Sequence, residues 1–542
     1  MSFSPVGLLR MPSRRLRTLF LLATIVGFIA GGTCAAQEPA GDYPVPEPHP
    51  VASPLLVGSY YFPGHFNAMR WVPMAAFGYP YPLLGYYRDG EPEVSDWHIK
   101  WAVEHGIDFF AFDWYYDYKT GNVSAHNNAL DLGFLRARYR SLMSFCIFWC
   151  NEERGDPDYT EEQMALLART LRDRYLKQPN YLRIDGAAVL MVSCPDRLLK
   201  RFGAAGCKSL WEMMSREAGT PLYPIAKQHT DQATLSAAGF RACTAYNYAS
   251  ANMPAGQRQA PYDTMAEGYE ARWQEAVGQG VLPYMVPVSP GWDSRPWYND
   301  TAMVRTNPRP EKFRKMCEAA KTYVNPRLQA VIAECWNEFG EGSYIEPCTQ
   351  YGFGYLDALR DAFCPDNPHH LDLTPQQLGR TSPVFADIPV LTERDIAAQE
   401  GNLLYNPGLE KTWGWVYFRG EDARREQGAA HSGDWACVVT PKDGGLKSFA
   451  PVPLQAGDEV ELWAWVKTEP GATASIQGAL FRGASWLGTY RRIGTASGPE
   501  WTRVAARFTW DEKQADRIDI EIAPRDGSVW VDDTGIRKIG GK

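Results

Sequence analysis

The chain lacks several features that define common classes of protein. Outside the N-terminus it has no run of lysine and arginine, and its formal net charge is −8, so the basic face of a nucleic-acid-binding protein is missing. No pair among its 11 cysteines has the spacing of a metal site. Beyond the first 36 residues no apolar run is long enough to span a bilayer. These absences favour a neutral partner.

Aromatic side chains, in contrast, are abundant. They make up 13% of the 542 residues and include 19 Trp and 28 Tyr. Part of this excess belongs to the core, as in any globular protein. The remaining rings are suited to stacking on the apolar faces of sugars, so we expect a polysaccharide or glycan as the partner. The composition does not define an oligomeric state.

The first 36 residues have the order of a secretory signal peptide. Arg10, Arg14, Arg15 and Arg17 precede the apolar stretch TLFLLATIVGFIAGG, and small residues follow it. Because this apolar run is short for a membrane span, the pattern predicts export with cleavage near Ala36. A retained anchor helix is the alternative. We therefore expect a periplasmic, extracellular or cell-surface protein without a stable membrane span.

From residue 54 to residue 363, apolar runs alternate with amphipathic helical patterns. The stretch SDWHIKWAVEHGIDFFAFDWYY shows one unit: Ser95 suits the N-cap, Gly106 suits the helix C-terminus, and a buried strand follows from Ile107 to Asp113. About eight such strands separated by helices predict an α/β fold, a (β/α)₈ TIM barrel. A doubly wound sheet is the alternative.

Polar and aromatic residues follow these apolar runs, where a barrel places its active site. Asp113 and Asp293 are expected to bind hydroxyl groups or to position a catalytic group, with helix capping as the alternative. The predicted substrate-binding residues are Tyr60, Tyr61, Asp113, Trp114, Tyr116, Trp149, Tyr246, Trp292, Asp293, Trp336 and Asn337.

The last apolar run ends in AVIAECWNEFGEGSYIEP, which contains four glutamates. Glu338 and Glu341 are three residues apart in a glycine-flanked turn, a spacing that lets both carboxylates point into one cavity. The same spacing is common on solvated helix faces, but a position at the end of a barrel strand favours catalysis. Because paired carboxylates supply both functions that glycosidic cleavage needs, we predict Glu338 and Glu341 as catalytic residues.

After a linker at residues 364–401, which is rich in Pro, Asn, Asp and His, the hydrophobic periodicity of the sequence changes. Segments such as DEVELWAWVKT and RIDIEIAP alternate with period two between turn signals. Residues 402–540 are therefore predicted to form an all-β jelly-roll sandwich.

Four motifs of the barrel region closely resemble the WbsX-like family: GSYYFPGHF, YPLLGYYRDGEPEVSDWHIKWAVEHGIDFFAFDWYY, SPGWDSRPW and CWNEFGEGSYIEP. That family is related to glycoside hydrolase family 99, the endo-α-mannosidases and endo-α-mannanases. The resemblance implies a (β/α)₈ barrel that hydrolyses glycosidic bonds with retention of configuration. In family 99 one glutamate deprotonates the substrate's 2-hydroxyl, giving a 1,2-anhydro sugar, and another is general acid and then base.

Those glutamates lie in an N-E-W-H-E motif, which the resemblance places on residues 337–341. Asn337 then matches the Asn, Glu338 the base and Glu341 the acid/base, whereas Phe339 and Gly340 replace the Trp and the His. The resemblance implies α-mannosidic or similar bonds with a free 2-hydroxyl. No cluster in the barrel shows metal-ligand spacing, so we expect catalysis without a cofactor.

Two other functions are alternatives. WbsX-like members have also been described as glycosyltransferases of surface polysaccharide, which would require a sugar-nucleotide donor. No phosphate-binding loop is evident, and export would separate the enzyme from such donors. The other alternative is a glycan-binding protein without catalysis.

The C-terminal region opens with NLLYNPGLE and ends with SVWVDDTGIRKI, and it resembles carbohydrate-binding modules of families 4 and 9. The resemblance implies a structural Ca²⁺ between Glu410 and Asp532 or Asp533, whose oxygens suit this cation. It also implies stacking of sugars on exposed rings. The candidate tryptophans are Trp413, Trp415, Trp435 and Trp486.

Overall fold

The computed structural model describes residues 44–540 except 77–78, 119–120, 152–158, 228–230, 299–300, 367–370, 380–399, 411–413, 419–422, 449–453, 483–484 and 512–514. The predicted signal peptide and most of the predicted linker lie outside the described residues.

The sheet of the first region has nine strands, of which the short strand Arg183–Ile184 pairs in antiparallel fashion with Ala187–Val192. The other eight strands are parallel and form the barrel. They are β1 (Leu56–Tyr61), β2 (Phe109–Trp114), β3 (Ser144–Trp149), β4 (Ala187–Val192), β5 (Leu222–Lys227), β6 (Ala242–Thr244), β7 (Val286–Val288) and β8 (Ala330–Ala333).

The pairing of these strands closes a barrel. Strands β1 to β6 pair in order, β7 pairs with β8, and β8 returns to β1, always in parallel. The remaining contact joins β6 to the segment entering β7, where Cys243 forms a parallel bridge with Tyr284. The predicted (β/α)₈ TIM barrel is therefore confirmed.

Nine α-helices lie within the described residues, mostly between successive barrel strands. They are α1 (Val72–Ala76), α2 (Pro92–Glu104), α3 (Glu161–Leu171), α4 (Pro195–Ala218), α5 (Gln232–Ala237), α6 (Tyr262–Gln279), α7 (Arg295–Tyr298), α8 (Pro310–Ala320) and α9 (Gly354–Phe363).

The predicted start of α2 is wrong. The helix begins at Pro92 with Glu91 as its N-cap, and Ser95 is a buried residue inside it. Proline favours the first helical position because its fixed φ suits the helix and its missing N–H is not needed there. The end of α2 agrees with the prediction, since Gly106 follows it with a positive φ of 81°.

The second region is a sandwich of antiparallel strands with its own apolar core. Its strands are β9 (Val416–Tyr417), β10 (Arg425–Gln427), β11 (Trp435–Val439), β12 (Leu446–Lys447), β13 (Glu459–Thr468), β14 (Thr473–Arg482), β15 (Ser485–Ser497), β16 (Thr502–Thr509), β17 (Arg517–Arg525) and β18 (Val529–Gly540). One sheet has the order β9-β12-β17-β14-β15 and the other β10-β11-β18-β13-β16. The predicted all-β fold of this region is confirmed.

The described part of the predicted linker packs against the barrel. The Trp101 indole donates a hydrogen bond to the Leu373 carbonyl at 2.8 Å, and Gln376 donates to the Leu83 carbonyl at 2.9 Å. Among the residues that the structure describes, no helix combines the length and apolar composition needed to cross a bilayer.

Candidate active site

A cavity of about 1280 Å³ opens at the carboxyl ends of the barrel strands. Every one of the eight strands contributes a lining residue at or just beyond its end: Phe62, Asp113, Cys150, Ser193, Lys227, Tyr246, Trp292 and Glu338. Convergence of eight strand ends on one concave space is the arrangement in which TIM barrels carry their active sites.

The two predicted catalytic glutamates lie on one tight hairpin at this end. Asn337–Glu338 pairs in antiparallel fashion with Ser343–Tyr344, and a 3₁₀ turn at Phe339–Glu341 joins them. The backbone N–H of Asp293 donates to the Glu341 carbonyl at 2.6 Å. This contact fixes the hairpin against the loop that follows β7.

A glycine is required where this hairpin meets that loop. Gly342 has a φ of 64°, and a Cβ atom there would lie 2.6 Å from the backbone nitrogen of Asp293. Any larger residue would therefore both strain the backbone and push the loop away. Glu338 and Glu341 both line the cavity as a result of this local path.

The electrostatic environment of Glu338 is unusual for a carboxylate. Only 4% of its surface is exposed, and burial together with the nearby carboxylates of Glu341 and Asp113 raises its pKa well above the usual range. A hydrogen bond from Trp297 and the positive charge of Arg70 act in the opposite direction. Glu338 is thus a buried group poised to accept or hold a proton.

Asp113 and Tyr246 form a second polar pair in the cavity. The Tyr246 hydroxyl donates to Asp113 Oδ2 at 3.1 Å, and burial raises the pKa of this phenol well above its usual range, which keeps it a donor. The Tyr246 ring stacks on Phe148, with ring centroids 5.5 Å apart and planes within 20°. Asp113 is therefore held in place rather than free to rotate.

Of the predicted site residues, five line the cavity and eight do not. Those that line it are Asp113, Tyr246, Trp292, Glu338 and Glu341. Those that lie outside its lining are Tyr60, Tyr61, Trp114, Tyr116, Trp149, Asp293, Trp336 and Asn337.

Most residues of the second group are aromatic side chains buried in the barrel wall. The Tyr60 hydroxyl donates to the Ala245 carbonyl at 3.1 Å, the Trp114 indole to Tyr175 at 3.0 Å, and the Trp149 indole to Tyr118 at 2.5 Å. These hydrogen bonds satisfy their polar atoms inside the protein. The rings contribute packing around the site instead of a sugar platform.

Asn337 and Asp293 have structural contacts. The Asn337 side-chain amide exchanges two hydrogen bonds with the Phe62 backbone, both at 2.9 Å, so it joins the hairpin to the end of β1. The Asp293 carboxylate forms an ion pair with Arg295 at 2.5 Å. Asp293 therefore holds the Glu341 hairpin through its backbone while its side chain is engaged elsewhere.

Several lining residues were not singled out from the sequence. They come from helices and loops beyond the strand ends: Arg70, Tyr115, Asp231, Arg272, Glu275, Trp297 and Tyr298. Two of them lie in motifs quoted from the sequence, Tyr115 in the DWYY that ends one motif and Trp297 in SPGWDSRPW.

The residues predicted to hold calcium lie in the sandwich. Glu410 Oε1 accepts the backbone N–H groups of Asp434 and Trp435 at 3.0 and 3.2 Å. Asp532 Oδ2 accepts those of His431 and Ser432 at 2.7 and 3.1 Å, and burial raises the pKa of Asp532 to about 6. Both carboxylates hold the same loop through hydrogen bonds, and the calcium site stays a prediction.

One group of three metal-type donors occurs in the part of the chain that the structure describes. Atoms of His105, Asp357 and Asp372 lie within 4.8 Å of one another. None of the three lines the cavity, and His105 precedes β2, on the side where that strand begins.

The predicted sugar-stacking tryptophans of the sandwich have different surroundings. Trp486 is 41% exposed and lies 5.5 Å from the Tyr490 ring, centroid to centroid. Trp415 is buried in the core, and Trp435 lies beneath the Arg425 guanidinium at 4.5 Å. Trp413 lies outside the described residues. Trp486 is therefore the exposed ring among the three that are described.

Comparison with known proteins relates this barrel to a family. The model of the family described as Glycosyltransferase WbsX matches residues 79–359, a range that contains both hairpin glutamates. A curated relative, the uncharacterized protein WxcX of Xanthomonas campestris pv. campestris strain B100, is 25% identical over 377 residues, which are 62% of this chain and 52% of the relative. The chain spans about half the length of the curated relatives it matches.

Solved structures are similar to each region separately. The GH99 endo-alpha-mannosidase from Bacteroides thetaiotaomicron is 16% identical and covers 57% of this chain and 96% of its own, with a TM-score of 0.41. The CBM22-1 xylan-binding domain of Xyn10C from Paenibacillus barcinonensis is 14% identical and covers 24% of this chain and 90% of its own, with a TM-score of 0.20.

Proposed function

This chain belongs to the WbsX family, and we propose that it is an exported retaining glycoside hydrolase that cleaves polysaccharide or glycan linkages. The observation that carries the proposal is the hairpin pair: Glu338 and Glu341 line one deep cavity at the carboxyl ends of the barrel strands. Asp113 and several aromatic side chains share that cavity.

In the first step Glu338 acts as the base. Its carboxylate takes the proton of the sugar's 2-hydroxyl, and the resulting oxygen attacks the anomeric carbon to form a 1,2-anhydro sugar. Glu341 donates its proton to the glycosidic oxygen as the bond to the leaving group breaks. The raised pKa of Glu338 strengthens it as a proton acceptor, while Arg70 and Trp297 favour its ionised form.

In the second step the roles reverse. Glu341, now ionised, takes a proton from water as the water oxygen attacks the anomeric carbon. The bond between that carbon and O2 breaks, and O2 recovers its proton from Glu338. Two inversions at the same carbon give net retention of configuration. Both glutamates return to their starting protonation states, so no cofactor is required by this sequence.

The proposed substrate is a glycan with a free 2-hydroxyl next to the scissile bond, since the 2-oxygen is the attacking group. The resemblance to family 99 favours an α-mannosidic or similar linkage. The lining rings Tyr246, Trp292 and Tyr298 offer surfaces on which sugar faces can stack.

The N-terminus and the sandwich also have proposed roles. We propose that residues 1–36 direct export and are removed, which N-terminal sequencing of the mature protein would test. We also propose that the sandwich is a glycan-binding module, with a calcium ion held by Glu410 and Asp532.

A product screen tests the central proposal. Purified protein without residues 1–36 is incubated with mannans, other bacterial and algal polysaccharides and host-type glycans, beside a Glu341→Gln control. New reducing ends that are absent in the control are expected. Product that forms only after a sugar nucleotide is added would establish a transferase instead, and binding without product would establish a binding protein.

A further inference from the structure

The turn between the two glutamates has no room for a side chain at its centre. A Cβ atom at Gly340 would lie 2.0 Å from Nε1 and 2.3 Å from Cζ2 of Trp297. Real Cβ atoms do not approach other heavy atoms this closely, so the indole occupies the volume that any other residue at position 340 would need. Gly340 and Trp297 are therefore complementary parts of one packing arrangement.

The indole at this position reaches the base. Trp297 belongs to α7, is 9% exposed and lines the cavity. A hydrogen-bonding interaction of its side chain acts to lower the pKa of Glu338, so the indole lies within reach of that carboxylate. Because an indole N–H is only a donor, this contact is made to a carboxylate oxygen and favours the ionised form of the acid.

The Trp297 ring also contacts a cation, Arg70. The Arg70 guanidinium carbon lies 4.9 Å from the centroid of the Trp297 ring, a cation–π contact. Arg70 is itself fixed, since its Nε donates to the Gly64 carbonyl at 2.8 Å. The ring thus contacts both the guanidinium and the catalytic hairpin.

We infer that Trp297 is a positioning residue for Glu338, and that glycine at position 340 is the condition for this role. The inference rests on the proposed function, in which Glu338 is the base. The indole N–H orients the carboxylate and offsets the burial and the neighbouring acids that favour its protonation. Arg70 acts through the ring and through its own charge. Helix α7, which follows β7, thereby positions the Glu338 carboxylate, which follows β8.

Two single variants and their combination test this assignment. Trp297→Phe removes the N–H and the larger ring, and we expect kcat/KM to fall about tenfold, with the acidic limb of its pH profile moving up by about one unit. Gly340→Ala displaces the indole and should give the same two effects. The double variant should lose no more than either single variant, because Trp297→Phe has already removed the N–H donor that a Cβ at position 340 would displace.

The chain offers a matched control for the glycine change. Gly278 lies in α6 with no heavy atom within 4 Å of an added Cβ, so Gly278→Ala should leave kcat/KM unchanged. Thermal unfolding of each variant separates a folding defect from a site defect. If Gly340→Ala does not fold, the kcat/KM and the pH profile of Trp297→Phe alone test the inference. Wild-type kcat/KM with an unmoved acidic limb in Trp297→Phe, or additive losses in the double variant, would overturn the inference.

A measurement that needs no activity separates this inference from the proposed function. Protein labelled with ¹³C at glutamate carboxyls can be titrated by NMR, with the Glu338 signal assigned from its absence in Glu338→Gln. The inference requires the pKa of Glu338 to rise in Trp297→Phe, and an unchanged pKa would reject it. If the pKa rises but the wild type cleaves no glycan, the contact is real and the hydrolase proposal fails.

Discussion

Glu338 in the barrel and Glu461 in the sandwich are both buried glutamates, with 4% and 2% of their surfaces exposed, but their neighbours carry opposite charges. Glu338 shares its cavity with the carboxylates of Glu341 and Asp113, which add to burial in raising its pKa. No such gathering of like charge surrounds Glu461 among the residues that the structure describes.

Three arginines surround Glu461 instead. Arg537, Arg507 and Arg503 donate to its carboxylate at 2.7, 3.1 and 3.3 Å. Burial raises the pKa of Glu461, but these hydrogen bonds outweigh it and the pKa is lowered. A glutamate paired in this way stabilises the sandwich, whereas the grouping around Glu338 costs stability.

The comparison separates a structural acid from one with a chemical role. A group of buried like charges lowers stability. Proteins therefore keep such groups mainly where the charges serve binding or proton transfer. The barrel has such a group of carboxylates after its last strand, whereas the buried glutamate of the sandwich is neutralised by arginines. Substitutions at the two glutamates should therefore have opposite effects on activity and stability.

The largest expected effect is on turnover. Glu338→Gln keeps the size of the side chain but removes the base, so kcat should fall about 10³-fold. The same change should not lower the melting temperature at pH 7. A raised pKa in the folded state stabilises the protein below the pKa of the unfolded state and loses that contribution as pH rises through the folded value. Glutamine cannot ionise, so the variant avoids the cost of a carboxylate whose charged form is disfavoured by burial and by its two acidic neighbours.

Two measurements check this prediction. Steady-state kinetics on a cleaved glycan gives the loss of kcat, and thermal unfolding at pH 7 gives the melting temperature. Wild-type turnover by the variant would contradict the catalytic role. A marked decrease in melting temperature would instead mark Glu338 as a structural residue.

Glu461→Gln should have the opposite pattern. Loss of the charge leaves three arginines around a neutral amide, and we expect the free energy of unfolding to fall by about 2 kcal/mol, less than for a fully buried pair because the arginines reach solvent. The lowered pKa means that this contribution is present above the unfolded pKa and is lost as pH falls through the folded value. Denaturant unfolding at pH 7 and at pH 3 measures both, and an equal loss at the two pH values would argue against it.

Asp113→Asn changes the charge around Glu338 without changing Glu338 itself. It removes one of the two carboxylates that raise the pKa of Glu338, so the acidic limb of the pH profile should move to lower pH. Activity at the optimum should fall about tenfold or less, since the hydrogen bond with Tyr246 can be kept by an amide. A pH profile of kcat/KM decides this, and an acidic limb that moves upward would be inconsistent with the proposed electrostatics.

The smallest expected effect belongs to the exposed ring of the sandwich. Trp486→Ala removes a stacking surface without disturbing the core, so polysaccharide binding should weaken about threefold to tenfold and the melting temperature should not change. Affinity electrophoresis on the cleaved polysaccharide measures the binding. Equal retardation of the variant and the wild type would assign the sandwich a different surface or a purely structural role.

The barrel and its catalytic pair could be predicted from the sequence because both are local patterns. Most barrel strands are largely apolar runs buried on both faces, as in β2, where all six residues are buried. Glu338 and Glu341 lie in one short turn directly after such a run, so their proximity does not depend on distant contacts.

The lining of the cavity was harder to predict because it depends on direction and on distant segments. Side chains alternate along a strand, so Tyr60 and Trp149 point into packing although they stand near strand ends. Arg70 and Trp297 reach the site from two short helices, a 3₁₀ helix at Ala68–Trp71 and α7, whose positions no periodicity defines. Asn337 supplies the amide of the motif, but this amide is hydrogen-bonded to the Phe62 backbone.

The proton NMR spectrum of the first product from a cleaved glycan is the decisive test of a retaining hydrolase, since it reports bond cleavage and stereochemistry together. We expect the first anomer to keep the substrate's configuration, and we expect neither Glu338→Gln nor Glu341→Gln to yield it at a comparable rate. An inverted first anomer, or undiminished product from either variant, would contradict it.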